Sequence, residues 1–168
     1  MVNLLERLSM STAVTLSVFF LCVSFSPGCS GVHRGMVEVQ EASIGKPDPW
    51  LVMPDGRRLR LRLDQDGEPI RALGGCMIEA EGRVVARSML VEDWQVTDAG
   101  DGSAPYVGLL RQHGSNVVIE DRNSGMPLIL DDASVAELGP FVGKYMMIVG
   151  YVVGAQQLHV VSFRILIE

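Results

Sequence analysis

The chemically densest residues form the run Arg57-Arg58-Leu59-Arg60-Leu61-Arg62-Leu63. Side chains alternate between faces along an extended strand. Arg58, Arg60 and Arg62 therefore share one face, and Leu59, Leu61 and Leu63 the other. Three guanidiniums in a row suit an anionic partner: a lipid headgroup, a polysaccharide or a carboxylate patch on a protein. Trp50, on the strand-like run just upstream, adds a ring that can stack. The same pattern also describes a solvated strand whose charges protect a sheet edge. Other reactive residue types are dispersed. His33, His113 and His159 lack the H-x-x-x-H, H-E-x-x-H or C-x-x-C spacing of a metal site. Cys76 has no histidine nearby in sequence to act as its base and reads as a small buried hydrophobe. Asp64/Asp66, Asp98/Asp101 and Asp131/Asp132 stand beside glycines or at a helix start, which is turn and cap chemistry, without the spacing of an EF-hand loop. No G-x-S-x-G, phosphate-cradling loop or dinucleotide fingerprint is present. The expectation is no catalytic residue, no metal and no cofactor.

These residues sit on a chain that reads mostly as strands. Expected strands lie at 37–42, 51–53, 57–63, 77–85 and 88–96, with a short helical or turn segment near 69–73. A second series follows at 106–112, 117–120, 126–130, 145–153 and 157–167. There Asp131/Asp132 cap a short helix that Gly139-Pro140 ends. The tract Asp98-Ala99-Gly100-Asp101-Gly102-Ser103-Ala104-Pro105 separates the two series. Each has the order β-β-β-α-β-β, and the two match in sequence. At an offset of 68, Gly75 falls on Gly143, Gly82 on Gly150, Val84-Val85 on Val152-Val153 and Leu90 on Leu158. One residue later, Val91, Trp94 and Val96 fall on Val160, Phe163 and Ile165. Upstream, an offset of 67 places Leu61, Leu63 and Asp64 on Leu128, Leu130 and Asp131, and Trp50-Leu51-Val52 on Val117-Val118-Ile119. Trp94 and Phe163 are the expected core anchors of the two units.

The strand order, the helix between third and fourth strands, and the pattern around Gly143–Val153 resemble the OB-fold, a five-stranded Greek-key barrel. The resemblance implies two tandem OB-fold-like barrels with short helices. It also implies that strands two and three carry the binding face, where Trp50 and the arginine stripe lie. One larger antiparallel barrel or sandwich built from both halves is the alternative architecture.

The N-terminus reads as an export signal. Residues 11–25 carry no charge, and this run is shorter than the roughly 20 residues of a comfortable transmembrane helix. Ser26-Pro27-Gly28-Cys29-Ser30 follows and resembles a bacterial lipobox, with Ser26 and Pro27 departing from the usual pattern. The resemblance implies cleavage after residue 28 and lipidation of Cys29. Ser30, as a non-Asp residue in second place, then favours the outer membrane. The chain divides accordingly into a lipoprotein signal peptide at 1–28, a lipidated tether at 29–36, a first OB-like unit at 37–98, a linker loop at 99–104 and a second OB-like unit at 105–168. A looser resemblance connects it to small myxobacterial lipoproteins, some of which accompany toxins exchanged between cells.

Composition narrows the function classes. There are 14 Lys+Arg against 20 Asp+Glu, for a net charge of −6. An acidic chain is poorly suited to bulk nucleic-acid binding, which depends on basic residues releasing counterions. A hydrophobic share of 48% excludes a wholly disordered chain, and three cysteines exclude a disulfide-stapled scaffold. The expected function is that of a lipid-anchored, non-catalytic binding or adaptor module in the bacterial envelope. Its expected partners are the membrane, through the anchor, and an envelope protein or anionic polymer. The other readings are an accessory lipoprotein of an exchanged or secreted toxin, a structural or small-ligand module, and an enzyme with an unrecognised site.

Overall fold

The structure is a computed structural model that describes residues 30–41 and 45–167. The expected signal segment at 1–28 and Cys29 lie outside the described residues. The first unit comprises β1 (Ser30–Gln40), β2 (Asp48–Val52), β3 (Arg58–Arg62), β4 (Met77–Val85) and β5 (Ser88–Asp98). These close into a barrel in the order β1-β2-β3-β5-β4. A 3-10 turn at Glu68–Ala72 links β3 to β4 and carries Ile70, which with Leu73 just beyond it is fully buried. The second unit comprises β6 (Tyr106–His113), β7 (Asn116–Asp121), β8 (Pro127–Leu130), β9 (Tyr145–Val153) and β10 (Gln157–Ile167). Its sheet runs β10-β8-β7-β6-β9, and the pairing of β9 with β10 joins its ends. A short helix α1 (Asp132–Leu138) lies between β8 and β9. The Asp131 side chain caps it by accepting a hydrogen bond from the Ser134 N–H.

The strand series expected from sequence is present, with corrections in register. Residues 30–36 are not a tether. Ser30–Met36 pairs antiparallel with β4, from Ser30 opposite Arg83 to Met36 opposite Met77, so the first unit begins at Ser30. Within the repeat, the parallel partner of Met89 is Leu61, and that of Leu158 is Leu130. Met89, not Leu90, is thus the counterpart of Leu158, and Leu61 is the counterpart of Leu130, not of Leu128. The extra residue of the second unit falls in the hairpin turn. Two residues, Ala86 and Arg87, join β4 to β5, whereas three, Gly154 to Gln156, join β9 to β10. A turn accepts an insertion without moving any side chain across the sheet, which a strand cannot do. Likewise Leu51 pairs with Leu59 and Ile119 with Leu128, so Leu51 corresponds to Ile119 and Trp50 to Val118.

Barrel closure depends on glycines at matching places. β1 pairs with β2 through its second half and with β4 through its first. At the crossover stands Gly35, where a Cβ would lie 2.6 Å from the Val52 carbonyl oxygen. In β6, Gly108 takes the same role, and a Cβ there would collide with the Glu120 carbonyl oxygen. Gly82 and Gly150 each face a bulge in the neighbouring strand. The register jumps between Glu81 and Gly82 on β4, and between Val160 and Ser162 on β10. A Cβ at either glycine would collide with a carbonyl oxygen of the bulged strand, that of Leu90 or His159. Gly75 and Gly143, at φ +86° and +93°, turn the chain into β4 and β9.

A seam with an apolar centre joins the two units. Val107, Met147 and Leu166 of the second unit belong to the same buried cluster as Val37, Ile78 and Trp94 of the first. Arg122 stacks 4.8 Å from the Trp94 ring centre, donates to the Trp94 carbonyl at 3.0 Å and reaches Asp93 at 2.6 Å. Asn123 donates to the Val96 carbonyl, and Arg164 to the carbonyls of Ala72 and Gly74. Trp94 therefore serves the seam as well as its own core, while Phe163, its counterpart, packs on Phe141 with ring centres 5.5 Å apart.

Replacing Gly82 or Gly150 by Ala should lower stability by about 1–3 kcal/mol, because backbone must shift to make room. Gly31→Ala, whose nearest neighbour would be a His33 ring nitrogen at 3.8 Å, should change the urea midpoint little. Equal midpoints for all three variants would contradict this account of the bulges.

Candidate binding face

β2 and β3 alternate as their sequences require. Leu51, Leu59 and Leu61 point into the barrel, while Trp50 and the arginines point out. Arg58, Arg60 and Arg62 do share a face, but they do not form a free cationic stripe. Arg60 makes two hydrogen bonds of 2.9 Å to the carboxylate of Asp48 on β2. Arg58 reaches Glu38 of β1 at 3.0 Å and lies 5.3 Å from the centre of the Trp50 ring. Arg62 has no ion pair among the described residues. These pairs are exposed, so each contributes only about 0–1 kcal/mol to stability. Their larger effect is to cancel charge that the linear sequence presents as unpaired.

The face continues into a groove of about 750 Å³ at the end of the first barrel. Trp50 and Arg58 line it together with Arg57, Arg87, Val84 and His33, and no Asp or Glu is among its lining residues. Arg57 lies in the β2–β3 turn and pairs with Asp55 at 2.6 Å. The Arg57 backbone N–H, then its guanidinium, holds the Asp55 carboxyl below the usual carboxylate range. Arg87 has no ion pair among the described residues. The indole N–H of Trp50 is buried and meets no acceptor among them. An unpaired buried donor costs about 1–3 kcal/mol. The groove thus combines cations, an aromatic ring and one unpartnered donor. It can hold an anionic group and accept a hydrogen-bond acceptor beside the ring, and it contains no nucleophile.

Arg57, Arg87 and His33 escape a reading of the stripe alone. The parallel pairing of β3 with β5 brings the Ala86-Arg87 turn to this face, and the Arg60 N–H donates to the Arg87 carbonyl at 2.9 Å. Ala86 takes a positive φ of 56° in that turn, a conformation that an alanine does not announce in sequence.

The remaining sequence candidates have structural surroundings. Cys76 is buried at the seam, 3.3 Å from the Ala99 carbonyl and 3.6 Å from Arg164, and burial raises its thiol pKa. Asp98 accepts hydrogen bonds from the N–H groups of Gly100 and Gly102, and Asp64 from that of Gly67. His113 is exposed beside a turn. His159 lies 2.6 Å from Asp131 and 5.0 Å from the Tyr151 ring centre. No group of three or more His, Cys, Asp or Glu able to hold a metal occurs among the described residues. No helix among them is long and apolar enough to cross a membrane.

No family model matches the chain, and no curated protein matches it. A solved structure described as the crystal structure of the tetrameric p202 HIN2 aligns over 83% of this chain and 96% of that one, with 11% identity and a TM-score of 0.29. A likeness this distant carries no argument about fold or function.

The helix cap carries a pH signature. Hydrogen bonds from Ser134 and His159 pull the Asp131 carboxyl from 3.8 down to about 2. Because folding lowers this pKa, the ionised carboxylate contributes stability that is complete above 3.8 and is lost as pH falls through about 2. Asp131→Asn keeps a good N-cap residue while removing the charge. Urea midpoints measured from pH 5 down to about pH 2 should fall less steeply in the variant than in the wild type. Parallel curves would show that the charge at Asp131 is not what the cap uses.

Proposed function

We propose that this chain is a non-catalytic lipoprotein of the bacterial envelope. In this reading Cys29 carries the lipid, and two tandem OB-like units form the body. The β2–β3 face of the first unit binds an anionic envelope partner. The observation that carries the reading is the groove beside Trp50, which gathers Arg57, Arg58 and Arg87, the last without a carboxylate partner among the described residues, in a chain of net charge −6. A basic concavity on an acidic protein concentrates positive potential where an anion can use it. OB-like barrels bind ligands on the face of strands two and three, and the groove occupies that part of the first unit. The absence of a nucleophile–base pair at the groove fits binding better than turnover. The bidentate pairing of Arg60 with Asp48 removes Arg60 from the original stripe, and the groove adds Arg57 and Arg87 to Trp50, Arg58 and Arg62.

Two measurements test the two parts. Cells making the full chain and fed an alkyne-tagged fatty acid should label the wild type but not Cys29→Ala. Label on the variant would remove the lipidation reading. Separately, the purified full chain should bind a sulfated polysaccharide in a salt-sensitive way. Arg57→Glu/Arg87→Glu should weaken that binding about tenfold, equivalent to about 1.4 kcal/mol. Unchanged affinity with an unchanged thermal midpoint would remove the groove as the binding face.

A further inference from the structure

We propose that the groove end of the first barrel is a membrane-docking rim, and that the anion it meets is the headgroup layer of an anionic lipid surface. This rests on the lipoprotein reading above and names the partner of the same face.

The first argument is the path of the chain. Ser30 is already in β1 and opposite Arg83 of β4. Cys29 is one peptide bond earlier, about 3.8 Å between Cα atoms. A lipid on Cys29 would therefore hang on the barrel itself, with no tether to let the barrel drift. β4 runs antiparallel to β1, so Val84, Val85, Ala86 and Arg87 continue past the level of Ser30 in the direction from which the chain arrives. At about 3.3 Å per residue, Arg87 lies no more than about 13 Å beyond Arg83 along the strand direction. The turn is carried toward the lipid and not away from it.

The second argument is the chemistry of that end. The turn presents Val85, 67% exposed, between Val84 and Ala86, both of which line the groove. Arg57, Arg58 and Arg87 line the same groove as Val84 and Ala86. Arg57 and Arg58 have carboxylate partners in Asp55 and Glu38, and Arg87 has none among the described residues. An exposed aliphatic residue next to a groove that holds arginines and a half-buried tryptophan suits the boundary between headgroups and acyl chains. Aromatic and cationic side chains settle there. Attraction to an anionic leaflet falls off within a Debye length, about 8 Å at physiological salt. A rim held close by the anchor lies in reach of that field, whereas one on a long tether would not. With a net charge of −6, the chain as a whole is repelled by the same leaflet, so attraction depends on a local basic site such as this one.

The test uses the full chain purified from membranes and reconstituted into vesicles of brominated phosphatidylglycerol or of brominated phosphatidylcholine. Intact-mass measurement first reports whether Cys29 carries lipid, so failure of the anchor is read separately. Bromine quenches nearby tryptophan. Trp94 is buried at the seam, 4% exposed, and serves as the internal reference. In anionic vesicles emission should fall by up to about half, the share of one tryptophan of two, when Trp50 approaches the acyl boundary. The loss should vanish in Trp50→Phe, in Arg57→Glu/Arg87→Glu, and in zwitterionic vesicles. A lipidated protein with unquenched Trp50 in anionic vesicles would overturn the inference while leaving the lipoprotein reading intact. So would quenching that persists after charge reversal, since the anchor alone would then explain it. Polysaccharide binding that depends on Arg57 and Arg87, without any quenching, would assign the face to a polymer instead.

Discussion

Each unit closes through a strand divided between two neighbours: β1 pairs with β4 along its first half and with β2 along its second, and β6 pairs with β9 and then with β7. β1 leaves β2 for β4 at Met36, and the neighbouring Gly35 lets the backbone pass the Val52 carbonyl. Gly108 does the same in the second unit. Opposite, Gly82 and Gly150 admit the carbonyls of the bulged strands. Closure removes sheet edges that would otherwise invite pairing with other chains. It also forces the parallel contact of β3 with β5, which brings the Ala86-Arg87 turn beside Arg58 and Trp50. The candidate face is thus a consequence of the backbone crossings, one step removed from the arginines themselves.

Charge on that face is organised by neighbours across the sheet. Glu38 on β1 and Asp48 on β2 lie on the same outer surface as Arg58 and Arg60, and each takes one guanidinium. Such exposed pairs add little to folding. What they change is the field, because they leave Arg62 on the strand and Arg87 at the groove as the arginines without a carboxylate partner on this face among the described residues. This redistribution fits recognition at the barrel end better than along the whole strand.

The two units are held as one piece by a seam that mixes apolar packing with carbonyl capture. Arg122 and Arg164 satisfy backbone carbonyls of the other unit that the strand ladders leave open. These hydrogen bonds cross the seam at its half-buried and exposed rim, around the apolar contacts of Val107, Met147 and Leu166. The buried thiol of Cys76 lies within this seam, and its raised pKa follows from packing.

Much of the fold is legible in the residues in order. Alternation along 57–63, glycines at Gly82 and Gly150, and the Asp131 cap are local signals, and β3, β4, β9 and the helix formed where they pointed. The repeat was legible too, but its register was not. A slip of two residues keeps every side chain on its face, so the pairing of Leu61 with Leu130 could be told from that with Leu128 only by the parallel contacts to Met89 and Leu158. The strand character of Ser30–Met36 was hidden because its pairing partner lies about 50 residues away, in β4. The site divides along the same line. The sequence by itself determined that arginines and a tryptophan share an outer face, because side-chain direction in a strand is local. Which of those charges are cancelled, and which distant turn completes the groove, was decided by the tertiary structure alone, since both depend on strands that meet only when the barrel closes.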